Sequence, residues 1–162
     1  MSWSAPLLAL LGTVVGASVT LFADRVRARR DQNLRRHETL RNAYGTYLGA
    51  LHTTSEELRA VSLGEHAADV SRQSAARTAF RSAKLNIHRE QLVLLAPERA
   101  VLAGDEAFRT LRELRDVVAE GGDLQSVEYQ QVLDRYQAAL GTLRDVMRAD
   151  LGSPALGHGV TF

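Results

Sequence analysis

The sequence predicts an all-α protein in which an N-terminal transmembrane helix precedes an antiparallel up-down-up-down four-helix bundle. Three observations lead there. Residues 3–23 form a run of 21 without one ionisable side chain, six arginines follow within residues 25–36, and apolar residues recur at helical spacing from Leu40 to Met147.

Composition bounds the reading. A chain of 162 residues holds one core of moderate size, and its 45% hydrophobic content with only 3 prolines is that of a folded protein. Without cysteine it has neither disulfides nor thiolate metal sites. The net charge of +1 argues against a dedicated nucleic-acid binder. The charge is unevenly distributed. Residues 24–36 carry Arg25, Arg27, Arg29, Arg30, Arg35 and Arg36 against Asp24 and Asp31, a net of +4. The other 14 of the 20 basic residues face 17 of the 19 acidic ones in residues 37–162, a net of −3.

The chain therefore divides into an anchor (1–23), a basic juxtamembrane helix (24–36), a helical bundle (37–151) and a flexible tail (152–162). As a helix, the uncharged run is about 30 Å long, enough to cross a bilayer's hydrocarbon core. Pro6 falls in its first turn, where a missing N–H breaks no helical bond, and Trp3 suits the outer interface. A secretory signal would place its positive charge before the apolar run, and here all of it follows. A buried helix of a soluble bundle would show a polar stripe, and a surface-lying helix a charged face. By the positive-inside rule the N-terminus lies outside and the body is cytoplasmic, on the inner (plasma) membrane as a single-pass protein.

Within the anchor, Gly12, Gly16 and Thr20 align small side chains on one face, the pattern by which membrane helices approach closely, so a homodimer through this face is one expectation. The six collar arginines suit anionic membrane lipids, each worth on the order of 1 kcal/mol near the surface. No aromatic residues alternate with them to stack bases, so nucleic acid is not expected as a partner.

The body reads as four amphipathic segments. The first, about 37–63, aligns Leu40, Tyr44, Tyr47, Leu51, Thr54, Leu58 and Val61, and Gly64 stops it. The second, about 66–95, carries Val70, Ala76, Phe80, Ala83, Ile87 and Leu94. Pro97 ends it and starts the third, about 97–120, with Val101, Phe108, Leu111, Leu114 and Val118 before Gly121 and Gly122. The fourth, about 124–151, is capped by Asp123 or Ser126 and runs through Tyr129, Val132, Leu133, Tyr136, Leu140, Leu143 and Met147 until Gly152 and Pro154. Lengths of roughly 35 to 45 Å match, and the short connections make neighbours antiparallel. Gly45 and Gly49 repeat the glycine spacing in the first segment, where close packing inside the bundle is the expectation.

Catalytic patterns are absent from the sequence. There is no phosphate-binding glycine loop, and the chain's one lysine is Lys84. No glutamate has histidine three positions on, and His37, His52, His66, His88 and His158 contain no i, i+4 pair. His52 with Glu56 and Glu57 comes nearest to an acid/base cluster, without a nucleophile or oxyanion donors beside it. Arg109, Arg112 and Arg115 interleave with Glu113 and Asp116 as a solvated helix face does. No cofactor, metal or catalytic residue is expected, and the chain is read as no enzyme.

The passage "VTLFADRVRARRDQNLRRHETLRNAYGTYLGALH" resembles the opening of small, uncharacterised actinobacterial-type membrane-anchored helical proteins. Those proteins have one spanning helix, an Arg-rich juxtamembrane segment and a stretch matched here by Ala43, Tyr44, Tyr47, Leu48, Ala50 and Leu51. "LLAPERA", residues 94–100, is similar to their helix-to-helix junction. The resemblance implies a membrane-anchored helical domain and supplies no activity. Two functions follow from the sequence: a scaffold or interaction module that holds itself or an unknown cytoplasmic protein at the membrane face, and, as the alternative, a membrane-perturbing, lysis-type or pore-associated protein.

Overall fold

The computed structural model describes the helices over residues 4–153 and the surroundings of side chains for residues 27, 30–32 and 34–153. The protein is all-α, with five helices: α1 (Ser4–Ser62), α2 (Arg72–Ser82), α3 (Leu85–Leu95), α4 (Glu98–Ala119) and α5 (Val127–Asp150). The chain divides into two compact units, Met1–Thr39 and Leu40–Phe162, with the boundary at a position inside α1. The second unit is a bundle of four packed helical arms, of which α2 and α3 together make one.

The α1 arm contributes a stripe: Leu40, Tyr44, Tyr47, Leu51, Thr54, Leu58 and Val61 are all buried, as their spacing predicts. The Thr54 hydroxyl in this stripe is satisfied by donating to the Ala50 carbonyl (2.8 Å). Gly64 ends the helix at φ +82°, where a side chain would clash with its own backbone. From the facing side, α4 brings Ala100, Gly104, Ala107, Thr110, Leu111, Leu114 and Val118, and α5 brings Tyr129, Val132, Tyr136, Ala139, Leu140, Leu143 and Met147. Ser126 is the α5 cap, its Oγ accepting from the Tyr129 N–H (3.3 Å).

The second arm departs from expectation. A loop holds residues 65–71, Ser71 caps α2 by accepting from the Ser74 N–H (3.2 Å), and the helix stops at Ser82. Lys84 then takes a left-handed conformation (φ +51°, ψ +31°) before α3 begins. That one residue resets the helical phase. Ala76 and Ala79 face the core before the break, and Leu85 and Leu92 after it, while Ile87 and Leu94, expected inside, are exposed.

The expectation for Gly45 and Gly49 is also corrected. A Cβ built on either meets nothing within 4 Å, so neither serves close packing inside the bundle. The close approach is at Gly104 instead, where an added Cβ would stand 2.6 Å from Leu92 Cδ2 and 3.3 Å from the Tyr47 ring. Among the described residues no helix is long and apolar enough to cross a membrane, and the anchor expectation on residues 3–23 lies outside them.

These contrasts set opposite signs for two glycine substitutions. Gly45→Ala, in open space on a helix, is expected to raise stability by about 0.5–1 kcal/mol. Gly104→Val is expected to lower it by roughly 1–3 kcal/mol through overpacking. Denaturant midpoints of the two variants measure both.

Candidate functional site

The residues singled out from the sequence come first. Gly12, Gly16, Thr20, Arg25 and Arg29 lie outside the described residues. Arg27, Arg30, Arg35 and Arg36 are exposed. His52 and Glu56 are exposed on α1, and Glu56 faces Arg59 at 3.9 Å. Among the described residues no three His, Asp or Glu side chains converge to hold a metal ion.

The structure gathers its polar chemistry into three places, two of which the sequence does not announce. One is the end of the bundle where α1 enters it. There the Tyr44 hydroxyl donates to Asp150 Oδ2 (2.6 Å) on the last turn of α5, and Arg99 at the start of α4 donates to Asp150 Oδ1 (3.0 Å). Asp150 is nearly buried, so a carboxylate held by two donors joins three helices there.

A second place is the opposite end. Arg72 at the start of α2 reaches the carbonyls of Ser62 (2.6 Å), Gly121 (3.2 Å) and Gly122 (3.2 Å), and its own Nε is buried without a partner. These carbonyls sit at or just past the ends of α1 and α4, where helices accumulate partial negative charge, so the guanidinium answers two dipoles at once. No spacing rule marks Arg72. The paired glycines after α4 are the one signal near it, because they leave two carbonyls uncovered.

Third is the face shared by α2, α3 and α4. The rings of Phe80 and Phe108 meet edge to face, with centroids 5.9 Å apart and planes at 69°. Arg115 lies over Phe80 (5.0 Å) and Arg89 over Phe108 (5.2 Å). Arg89 also donates to Asp105 (2.7 Å), a hydrogen bond that raises its pKa above the ordinary arginine value. Beside this stack run two open grooves, about 410 Å³ with Arg77, Arg81 and Asn86 and about 500 Å³ with Arg109, Arg112 and Glu113. Carboxylates line both, among them Asp116, and Arg109 bridges Glu106 (2.6 Å) and Glu113 (2.9 Å). This is the interleaved face expected from the sequence, and such exposed pairs contribute about 0–1 kcal/mol each.

Compared with protein-family models, curated proteins and solved structures, the chain matches none.

All four tyrosines of the chain are buried, and burial pushes each hydroxyl above its usual pKa of 10.0. For Tyr44 the hydrogen bond to Asp150 adds to burial, and for Tyr47 the negative charge of Asp105 does. A raised native pKa gives stability that is complete below the unfolded value near 10 and lost as pH climbs through the native one. Tyrosinate absorbance is therefore expected to stay low above pH 10 and to rise together with loss of helical circular dichroism. Separate titration of the four rings in a folded protein would contradict this.

For Arg72, replacement by Met removes three charge-assisted bonds, with an expected loss of about 2 kcal/mol. Lys, with one compact ammonium, is expected to recover only part of it in the same melts.

Proposed function

We propose that the protein is a single-pass, membrane-anchored helical module that acts as a scaffold or interaction domain at the cytoplasmic membrane face, without catalysis. The observation that carries the reading is the order of charge along the chain: 21 uncharged residues, then a collar of +4, then a body of −3. Apolar length supplies the anchor, and the collar's position supplies its orientation. In support, exposed Arg27, Arg30, Arg35 and Arg36 have no ion pair with any described acidic residue. They are thus available to lipid phosphates, whereas the arginines of the α4 face are largely engaged with carboxylates of the body.

Within the body, the arms run up, down, up and down. Asp150 at the end of α5 meets Tyr44 near the start of the α1 arm, and Arg72 at the start of α2 meets Ser62 at the α1 end. Membrane lipids are the first partners in this reading. A homodimer through Gly12, Gly16 and Thr20, and a cytoplasmic protein partner, are its further parts.

The test joins a reporter that fluoresces only in the cytoplasm to Phe162, followed by carbonate extraction of membranes. Bright and retained is the expected result. A dark reporter would put the body outside, and a bright, extractable protein would remove the anchor.

A further inference from the structure

The basic residues of the body are not spread evenly. Residues 72–89, from the start of α2 into α3, hold Arg72, Arg77, Arg81, Lys84 and Arg89 and no acidic residue, a net of +5. The other 9 basic residues of 37–162 face all 17 of its acidic ones, a net of −8. Arg72 is held by helix-end carbonyls, and Arg89 by Asp105 and Glu90. Arg77 and Arg81 are exposed, and neither has an ion pair or a side-chain hydrogen bond among the described residues. The carboxylates that α4 turns toward this side are already engaged: Asp105 by Arg89 (2.7 Å), Glu106 by Arg109 (2.6 Å), Glu113 by Arg109 and Arg135 (2.9 Å each), and Asp116 by Arg115 (2.6 Å).

Helical spacing gathers the unanswered charge. Gln73, Arg77 and Arg81 stand at i, i+4 and i+8, so they share one face of α2, and all three line the groove of about 410 Å³. Asn86 of α3 and Arg115 of α4 line it as well. Like charges one turn apart disfavour a helix, and an anion between them relieves that repulsion. Glu120, just before the carbonyls that Arg72 holds, is the one lining carboxylate with no basic partner among the described residues.

We propose that this groove binds a soluble ligand carrying two or more linked phosphate groups. Guanidinium forks pair with phosphate oxygens through two parallel bonds, and the Gln73 and Asn86 amides add neutral N–H donors that such oxygens accept. Arg77 and Arg81 are about 6 Å apart along the helix axis, so their flexible side chains reach adjacent phosphates of one molecule, where a single carboxylate would leave one of them unanswered. The site is also a concavity with room beside the phosphates for an organic body. Its donors are side chains, so no glycine loop is needed, and every residue belongs to the bundle, so nothing in it depends on the membrane anchor.

The test is calorimetric titration of the full chain, in an uncharged detergent, with inorganic tripolyphosphate. Saturable binding is expected. Arg77→Gln combined with Arg81→Gln is expected to weaken it about tenfold or more, and Arg35→Gln combined with Arg36→Gln, in the collar, to leave it unchanged. Glu120→Gln, which removes the groove's unpaired negative charge, is expected to tighten it roughly twofold, a gain that damage to the fold cannot imitate. Circular dichroism verifies the fold of each variant. No saturation at millimolar tripolyphosphate would overturn the assignment. Loss of binding in the collar variant with none in the α2 variant would place the anion on the collar and overturn it too. Dihexanoyl phosphatidylglycerol, a lipid head group with a single phosphodiester, is the second probe. Binding about tenfold weaker than tripolyphosphate supports a soluble ligand, and equal or tighter binding would make the groove a lipid site and overturn it.

Discussion

The hydroxyl of Tyr47 donates to the Gly104 carbonyl at 2.8 Å, inside the core. That bond is possible only where α4 presents bare backbone. With no side chain at Gly104, the tyrosine ring and Leu92 of α3 share the space that a Cβ would occupy. One glycine thus sets the approach of α1 to α4 and provides the seat for α3. Two of the other core tyrosines follow suit: Tyr136 donates to the Leu51 carbonyl (3.2 Å) and Tyr44 to Asp150, so three phenols bind α1 to α4 or α5 through directional bonds as well as packed area.

What the sequence disclosed, and what it concealed, follows from which interactions are local. The seven-residue stripe of α1, the stop at Gly64, the Ser126 cap and the proline between α3 and α4 each depend on neighbours within a turn or two, and the structure has them where spacing puts them. The break at Lys84 has no such marker. Its surroundings, "FRSAKLNI", contain neither glycine nor proline, and a continuous helical period fits the residues on both sides. The break is chosen by packing, because it puts two leucines, Leu85 and Leu92, into the core where an unbroken helix would point other faces. For the glycines, sequence spacing favoured the wrong pair. Gly45 and Gly49 carry the familiar repeat and touch nothing, and Gly104, unremarkable in sequence, is the one that Leu92 and Tyr47 crowd. Arg72 escaped for a similar reason, since its three acceptors lie about 10 and 50 residues away.

Charge separates the two units more sharply than hydropathy does. In the bundle outside α2, arginines answer nearby carboxylates or rest on aromatic rings, as with Arg89, Arg109 and Arg115. Such a surface is close to neutral over short distances and has little long-range field. Collar arginines have only Asp24 and Asp31 in their own segment. By sequence that segment therefore keeps an uncompensated positive charge.

The Arg72 clamp also bears on the order in which the chain is made. Two of its three acceptors, Gly121 and Gly122, are synthesised some 50 residues after the arginine itself. Until they emerge, the end of α1 has a guanidinium with a single carbonyl to hold and no α4 to pack against. The last turns of that helix then gain their full set of partners only when most of the body exists. A ribosome-bound chain would thus keep its first helix open at the far end, and the bundle would close late and as a unit rather than arm by arm.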